Sequence, residues 1–428
     1  MKFFWVLFII TVGSSCMAQN RMNHWRMGYQ FGLAAPVYRP GLDYIGGAMD
    51  TVTLGPFSMD FRSCCSMICD TSGALQFYTN GQWIANKNND TLLNSGHFNP
   101  GYASDVFYHH GLYMAQGVLI IPKPDSSNIY SMFHETFDQL NNGTTSPLHL
   151  SYSEIDMNRD SGRGEMILKN KKILIDTLVQ GRLTACKHAN GRDWWVISHE
   201  YGTTRYYKFL LTPDSIYGPF KQNIGQNIFF DSDNESCFTP DGNWYATISN
   251  NDGALDIMRF DRCRGDFYDC HSTLLPTDST PYWNGVSFSA NCRYLYVNSL
   301  LSLLQFDLGA GNIIGSEHEV GHWDYYCEDI LGCTDFEFIQ LAPDNAIYMS
   351  TWATTKYLHK ISKPDSSNCN FIQRYFKIAN YNLSLPTFPN YDLGALEGSE
   401  CDTLNKPVKD TLFKFSLYPN PASEQLHI

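Results

Sequence analysis

The amino-acid sequence predicts an all-β fold made of repeated units, and three observations carry this prediction. Aromatic residues make up 14% of the chain and charged residues only 17%. This balance suits pleated surfaces, on which aromatic and β-branched side chains pack well. Short stretches of alternating apolar and polar residues are separated by Gly, Asn, Asp, Ser and Pro, which is typical of strands and turns. Similar segments also recur at a spacing of roughly 50 residues.

The clearest repeats are FTPDGNWYATIS from Phe238, FSANCRYLYVNS from Phe288 and LAPDNAIYMSTW from Leu341. In each, an apolar residue precedes a tight polar turn and an alternating strand follows. Pro fixes φ in such a turn, and Gly or Asn accepts a positive φ. Further copies begin at Asp70 and Ala189. Four-stranded units at this period are typical of WD40-like repeats, so the sequence predicts a β-propeller.

Six such units fit between Cys64 and Ile378. The remaining strands begin at His24 and Asp50 near one end and at Leu385 near the other. Together they predict a seventh blade, because closing the ring from both ends removes exposed sheet edges. Six blades is the alternative. The propeller is assigned to residues 20–395, and the polar, strand-poor residues 396–412 to a linker.

The first residues have the features of a signal peptide. A short charged start and an apolar run over residues 3–12 precede small residues, which predicts a signal peptide over residues 1–18 with cleavage after Ala18. The alternative is a lipid on Cys16, although Gly13 stands where a lipobox has a large aliphatic residue. No apolar run reaches the roughly 20 residues that a membrane-spanning helix needs, so no transmembrane span is expected in the mature chain.

Net charge and cysteine content limit which partners the protein can bind and in which compartment it works. The net charge is −13, which disfavours nucleic acid because phosphates need a Lys/Arg surface. Thirteen cysteines are present, and disulfides are expected in an exported chain. Spacing favours pairing Cys263 with Cys270 and Cys327 with Cys333, with free buried thiols as the alternative.

The last residues, LFKFSLYPNPASEQLHI, carry the motif Tyr418, Pro419, Asn420 and Pro421. This tail resembles the opening of the C-terminal sorting domain of the type IX secretion system of Bacteroidetes. The family domain is a small β-sandwich of several strands, and residues 413–428 match only its first strand. The resemblance implies export by the type IX secretion machinery to the medium or the outer cell surface.

The body resembles a group of uncharacterised Bacteroidetes propeller proteins that carry this sorting domain. The resemblance rests on the segments Gly73–Asn86, Gly117–Phe133, Gln340–Ser350 and Leu385–Tyr391. It implies the propeller fold and the export route, and it brings no catalytic residues and no cofactor.

One segment matches a metal-binding motif. In HEVGH, His318, Glu319 and His322 fit the zinc motif HExxH, which places both imidazoles on one face of a helix. The segment occupies a strand position of the repeat, where the two His would lie roughly 13 Å apart. We therefore expect an ordinary strand and no metal site. The polar stretch from Asp156 lacks the Gly and Glu of a calcium loop, and we expect a hairpin turn there.

The densest cluster of aromatic and ionisable residues is Trp194, Trp195, His199 and Glu200. These four are weak candidates for a carbohydrate platform or an acid/base pair, and a core strand is the favoured interpretation. No nucleophile elbow, phosphate loop or dinucleotide fingerprint is present in the sequence. The main hypothesis is thus a non-enzymatic scaffold that binds a glycan, peptide or protein through loops on one face. The alternative is an extracellular hydrolase, glycosidase- or peptidase-like, with carboxylates at the propeller channel.

Overall fold

A computed structural model describes residues 20–29, 37–57, 59–108, 110–141, 143–229, 234–277, 282–329 and 332–404. The predicted signal peptide, the alternative lipid site at Cys16 and the sorting motif Tyr418–Pro421 lie outside these residues. Within them, no helix has the length and apolar character needed to span a membrane.

Seven antiparallel sheets form the blades of a β-propeller, as predicted. The first two blades have three strands each. Their strands are β1 (His24–Arg26), β2 (Val37–Ile45), β3 (Ala48–Phe57), β4 (Ser66–Cys69), β5 (Leu75–Thr79) and β6 (Ile84–Asn86). A short helix, α1 (Tyr102–Phe107), lies in the connection to blade 3.

Blades 3 to 5 have four strands each, in sequence order. Blade 3 comprises β7 (Val118–Pro122), β8 (Ile129–Gln139), β9 (Thr145–Asp156) and β10 (Glu165–Ile175). Blade 4 comprises β11 (Thr184–Lys187), β12 (Trp194–His199), β13 (Thr203–Leu211) and β14 (Ile216–Ile228). Blade 5 comprises β15 (Ser236–Phe238), β16 (Trp244–Ile248), β17 (Ala254–Asp261) and β18 (Asp266–Leu274).

Blades 6 and 7 follow the same plan, with a small hairpin between them. Blade 6 comprises β19 (Trp283–Phe288), β20 (Tyr294–Ser299), β21 (Ser302–Asp307) and β22 (His318–His322). The hairpin is β23 (Cys327–Asp329) with β24 (Gly332–Cys333). Blade 7 comprises β25 (Phe336–Leu341), β26 (Ile347–Thr351), β27 (Thr355–Ile361) and β28 (Phe371–Asn382). Short 3₁₀ turns lie at Asn20–Met22, Asp160–Gly162 and Ile314–Ser316.

The first strand of each four-stranded blade lies innermost, and first strands pack against one another from β4 to β7 and from β11 through β15 and β19 to β25. We call the face where first strands turn into second strands the turn face. The repeated turns predicted from the sequence lie there, and their hydrogen bonds match: Gly242, Cys292 and Asn345 each donate N–H to the residue three positions earlier, at 2.8–3.0 Å. All three have a positive φ, as the turn chemistry requires.

The prediction that both chain ends share the seventh blade is wrong. Strands β1, β2 and β3 form one hydrogen-bonded sheet, and Leu385 belongs to no strand, although it lies in the same hydrophobic cluster as Trp25 of β1. The ring is closed by contacts between blades 1 and 7: Tyr29 N–H donates to Tyr381 O at 3.1 Å and Gly28 N–H to Asn382 Oδ1 at 3.0 Å. The edges are covered by neighbouring blades rather than by a shared sheet.

Candidate functional site

The centre of the ring is occupied by the chain itself. Residues 383–394, which we call the axial segment, leave β28 and pass along the inner strands. Thr387 N–H donates to Cys65 O at 3.1 Å, and Cys65 lies just before β4, on the face opposite the turn face. Asn390 Nδ2 donates to Pro240 O at 2.5 Å, and Pro240 lies in a turn of the turn face. The axial segment therefore runs through the ring from one face to the other.

Apolar and aromatic contacts hold the axial segment in place. Leu385 is 1% exposed, and Phe388 packs against core residues of several blades at once. Tyr391 is buried, and its hydroxyl donates to Ile120 O in blade 3 at 2.8 Å. Its ring lies edge-on to Trp194 of blade 4, at 6.2 Å between centroids. The axial segment is thus part of the hydrophobic core and contacts several blades at the centre of the ring.

On the turn face the chain continues across blades 4 and 5 and is fixed there. Arg262 Nη2 donates to Gly394 O, and Leu396 N–H donates to Ala189 O at 2.8 Å. A disulfide then joins Cys401 to Cys263, with 5.6 Å between the Cα atoms. These contacts fix the end of the described chain to the turn face of blades 4 and 5.

A small cavity remains beside the axial segment, with a volume of about 70 Å³. Inner strands of blades 4 to 7 line it, together with Glu235, Gln116 and Phe388. Burial raises the pKa of the Glu235 carboxyl to about 8, and Ile339 N–H donates to its Oε2 at 3.0 Å. Ligand pockets usually measure about 300–1,000 Å³, so this cavity accommodates water-sized species rather than a sugar or a peptide.

A second buried acid, Glu135, lies between blades 3 and 4. Its Oε1 accepts a hydrogen bond from Ser198 Oγ at 2.9 Å, and burial raises its pKa to about 8. Neither acid is exposed to solvent: Glu135 is fully buried and Glu235 is 2% exposed. Both carboxyls are in position to hold a proton at neutral pH inside the wall of the ring.

A crevice of about 900 Å³ opens on the turn face. Turns of blades 1, 5, 6 and 7 line it, together with the exit of the axial segment, and it contains Asp344, Asp365 and Asp392. Asp344 accepts hydrogen bonds from Tyr348 Oη at 2.7 Å and Lys360 Nζ at 3.3 Å. Partial burial raises the pKa of Asp392. None of the lining residues in the described chain is Lys or Arg, so the crevice favours a neutral or cationic ligand over an anionic one.

The aromatic cluster singled out in the sequence lies in the wall of blade 4. Trp194, Trp195 and His199 are at most 4% exposed. Trp195 Nε1 donates to Arg262 O in blade 5 at 2.9 Å. Glu200 pairs with Arg205 at 2.9 Å. A stacking platform needs exposed rings, and these two Trp side chains are enclosed by protein.

The HEVGH segment is a strand, as predicted. His318, Glu319 and His322 are its residues, and His322 Nδ1 lies 2.8 Å from Glu319 Oε1. The described residues contain no group of three or more His, Cys, Asp or Glu side chains placed to hold a metal ion.

The cysteine pairing differs in part from the prediction. Cys327 is joined to Cys333 as predicted. The pairing of Cys263 with Cys270 is wrong: Cys263 is joined to Cys401, and Cys270 is a free thiol near Ser272. Cys263 lies in the turn after β17, whereas Cys270 lies along β18 at a register shift. The two residues are therefore not cross-strand neighbours, and nothing in their spacing signals Cys401.

No protein-family model and no curated protein sequence matches the chain. Its structure is similar to that of a putative 6-phosphogluconolactonase from Bacteroides fragilis, with 11% identity and a TM-score of 0.45, covering 86% of this chain and 98% of that one. It is also similar to a periplasmic gluconolactonase from Pseudomonas aeruginosa, with 9% identity and a TM-score of 0.45, covering 85% and 98%. The strand order of the chain itself establishes a seven-bladed β-propeller, and the axial segment, residues 383–394, passes through the centre of its ring.

Proposed function

We propose that this protein is exported and acts outside the cell as a non-catalytic binding scaffold. The signal-peptide features of residues 1–18 and the motif Tyr418–Pro421 support export by a type IX secretion system to the medium or the outer cell surface. Two disulfides, Cys263–Cys401 and Cys327–Cys333, suit such an oxidising compartment.

The filled axis carries the proposal that the protein binds rather than cleaves. A channel hydrolase presents carboxylates to a substrate at the centre of the ring, and here that space holds Phe388 and its neighbours. The acid beside it, Glu235, is buried and bonded to the backbone N–H of Ile339. The crevice on the turn face has the volume of a ligand site, so the ligand is proposed to bind there.

The chemistry of the crevice indicates the class of ligand. Carboxylates accept hydrogen bonds from sugar hydroxyls and from basic side chains. Apolar side chains such as Leu341 and Leu393 line other parts of the crevice, and they suit the apolar faces of a sugar or a peptide. We therefore propose a glycan or a peptide that is neutral or positively charged.

Binding of the full chain to neutral, cationic and anionic polysaccharides and peptides tests this proposal. Asp392→Ala should weaken binding of the selected ligand by roughly tenfold. The matched control is Asp214→Ala, in a separate groove of about 400 Å³ between blades 3 and 4, and it should bind like the wild type. Hydrolysis of any of these substrates that is lost in Glu235→Gln would overturn the proposal and support the hydrolase alternative.

A further inference from the structure

The connection between blades 6 and 7 departs from the repeat. Residues 323–335 join β22 to β25, whereas the shorter connections 176–183, 229–235 and 275–282 join the preceding four-stranded blades. We call the described part of this connection, residues 323–329 and 332–335, the aromatic hairpin. Because β22 is a fourth strand, it ends on the face opposite the turn face. The aromatic hairpin is therefore remote from the crevice.

The aromatic hairpin is fixed by three kinds of contact. The disulfide Cys327–Cys333 closes it. Arg374 of β28 donates two hydrogen bonds to Asp324, at 2.8 and 2.5 Å. The same guanidinium lies 4.5 Å above the ring of Tyr326. Bidentate Arg–carboxylate pairs impose a defined geometry, so the hairpin is preorganised without a ligand, which lowers the entropic cost of binding one.

This rigid frame holds one ring out into solvent. Tyr325 is 64% exposed, and its φ is +61°, a left-handed conformation that bulky residues rarely adopt. Such strain costs about 1–3 kcal/mol and concentrates at functional sites. The ring lies 4.9 Å from that of Trp323, with 46° between the two ring planes, and 6.0 Å from that of His322. Trp323 is half-buried against the core of blades 6 and 7, so Tyr325 provides most of the exposed aromatic surface.

The charged groups around this surface are paired with one another. Asp324 pairs with Arg374 and Glu328 with Lys377 at 2.5 Å, and Glu319 Oε1 lies 2.8 Å from His322 Nδ1. The Arg374 and Lys377 cations are therefore each matched by a carboxylate. The aromatic surface offers apolar ring faces bordered by hydrogen-bonding groups, which is the pattern that the CH faces and hydroxyl edges of a sugar ring complement.

We propose that Trp323 and Tyr325 form a stacking platform for a neutral polysaccharide. A polyanionic ligand would gain nothing from a surface without free positive charge. This site goes beyond the crevice of the proposed function, because it lies on the other face and uses different residues. Substitutions at one site therefore change none of the residues of the other.

Affinity electrophoresis of the full chain in gels containing amylose, β-glucan, mannan, xylan, alginate or polygalacturonate tests the platform. At least one neutral polysaccharide should retard the protein, and alginate and polygalacturonate should not. Tyr325→Gly, which suits a positive φ and so preserves folding, should weaken the retardation roughly tenfold. Tyr325→Phe keeps the ring and should stay within about twofold of the wild type.

Two controls make the outcome decisive. Tyr268→Ala removes a Tyr of similar exposure, 51%, from blade 5, and should leave binding unchanged. Asp392→Ala reports on the crevice of the proposed function, so a polysaccharide bound there is released by this variant and not by Tyr325→Gly. The platform is overturned if no neutral polysaccharide retards the protein, if Tyr325→Gly binds like the wild type, or if Tyr268→Ala loses as much. Loss in Asp392→Ala alone would assign the polysaccharide to the crevice instead.

Discussion

Replacing Glu235 by Gln is expected to change how the stability of the protein depends on pH. The carboxyl is buried, and its pKa rises from 4.5 to about 8 on folding. The folded state therefore holds a proton that the unfolded state releases above its own pKa. Stability is lost as pH rises through this window, by about 1.4 kcal/mol per pH unit.

From about pH 5 to about pH 7 this loss amounts to roughly 2–3 kcal/mol for one group. The neutral amide of Glu235→Gln does not titrate, so the variant should gain that amount relative to the wild type over the same interval. Urea unfolding followed by Trp fluorescence at about pH 5, 6 and 7 measures the difference.

Two further variants extend this experiment, one at a second buried acid and one as a control. Glu135→Gln should behave like Glu235→Gln, because burial raises its pKa to the same value. Glu400→Gln makes the same substitution at a side chain that is 70% exposed and serves as the control. The reasoning is refuted if Glu235→Gln and the wild type lose stability in parallel from about pH 5 to about pH 7. Glu235 would then be ionised in the folded wall.

Two other predictions concern the contacts that hold residues 394–401 on the turn face. Cys401→Ser should speed proteolytic cleavage after the axial segment and lower Tm, because the disulfide closes a loop spanning 138 residues and such links contribute about 2–4 kcal/mol; Cys270→Ser, at a free thiol, should do neither. Gly191→Ala should lower the free energy of unfolding by about 1–3 kcal/mol, since its φ is +76° and the added Cβ would lie 2.5 Å from Ala395 N. Gly162→Ala, also at positive φ but facing open space, should cost less, and equal losses for the two Ala variants would contradict the close approach.

Local chemistry explains why the blades were predictable. The turns at Gly242 and Asn345 have a positive φ and a Pro two positions earlier. The residue types that favour these turns are therefore close together in the sequence. The same reasoning fails for residues 385–391. Their apolar spacing resembles a strand, but Pro386 and Pro389 have no N–H to donate, so residues 385–391 pack inside the ring without joining a sheet.

The sites depend on contacts that the linear sequence does not express. The crevice forms only when turns of four blades and the exit of the axial segment meet. Density of aromatic residues was also a poor guide to a platform. Trp194 and Trp195 are adjacent but buried, whereas Tyr325 is exposed because a disulfide-closed hairpin holds it outside the ring.

Amide hydrogen exchange at Thr387 and Phe388 tests the filled axis most directly. Their N–H groups donate to Cys65 O and Gln340 Oε1, beside the inner strands of blades 2 and 7. If the axial segment is part of the core, its hydrogen bonds should break only when the blades unfold. These amides should therefore exchange as slowly as those of the buried strand β16. Exchange as fast as that of an exposed turn would mean that the axis is open, and the channel would return as the candidate site.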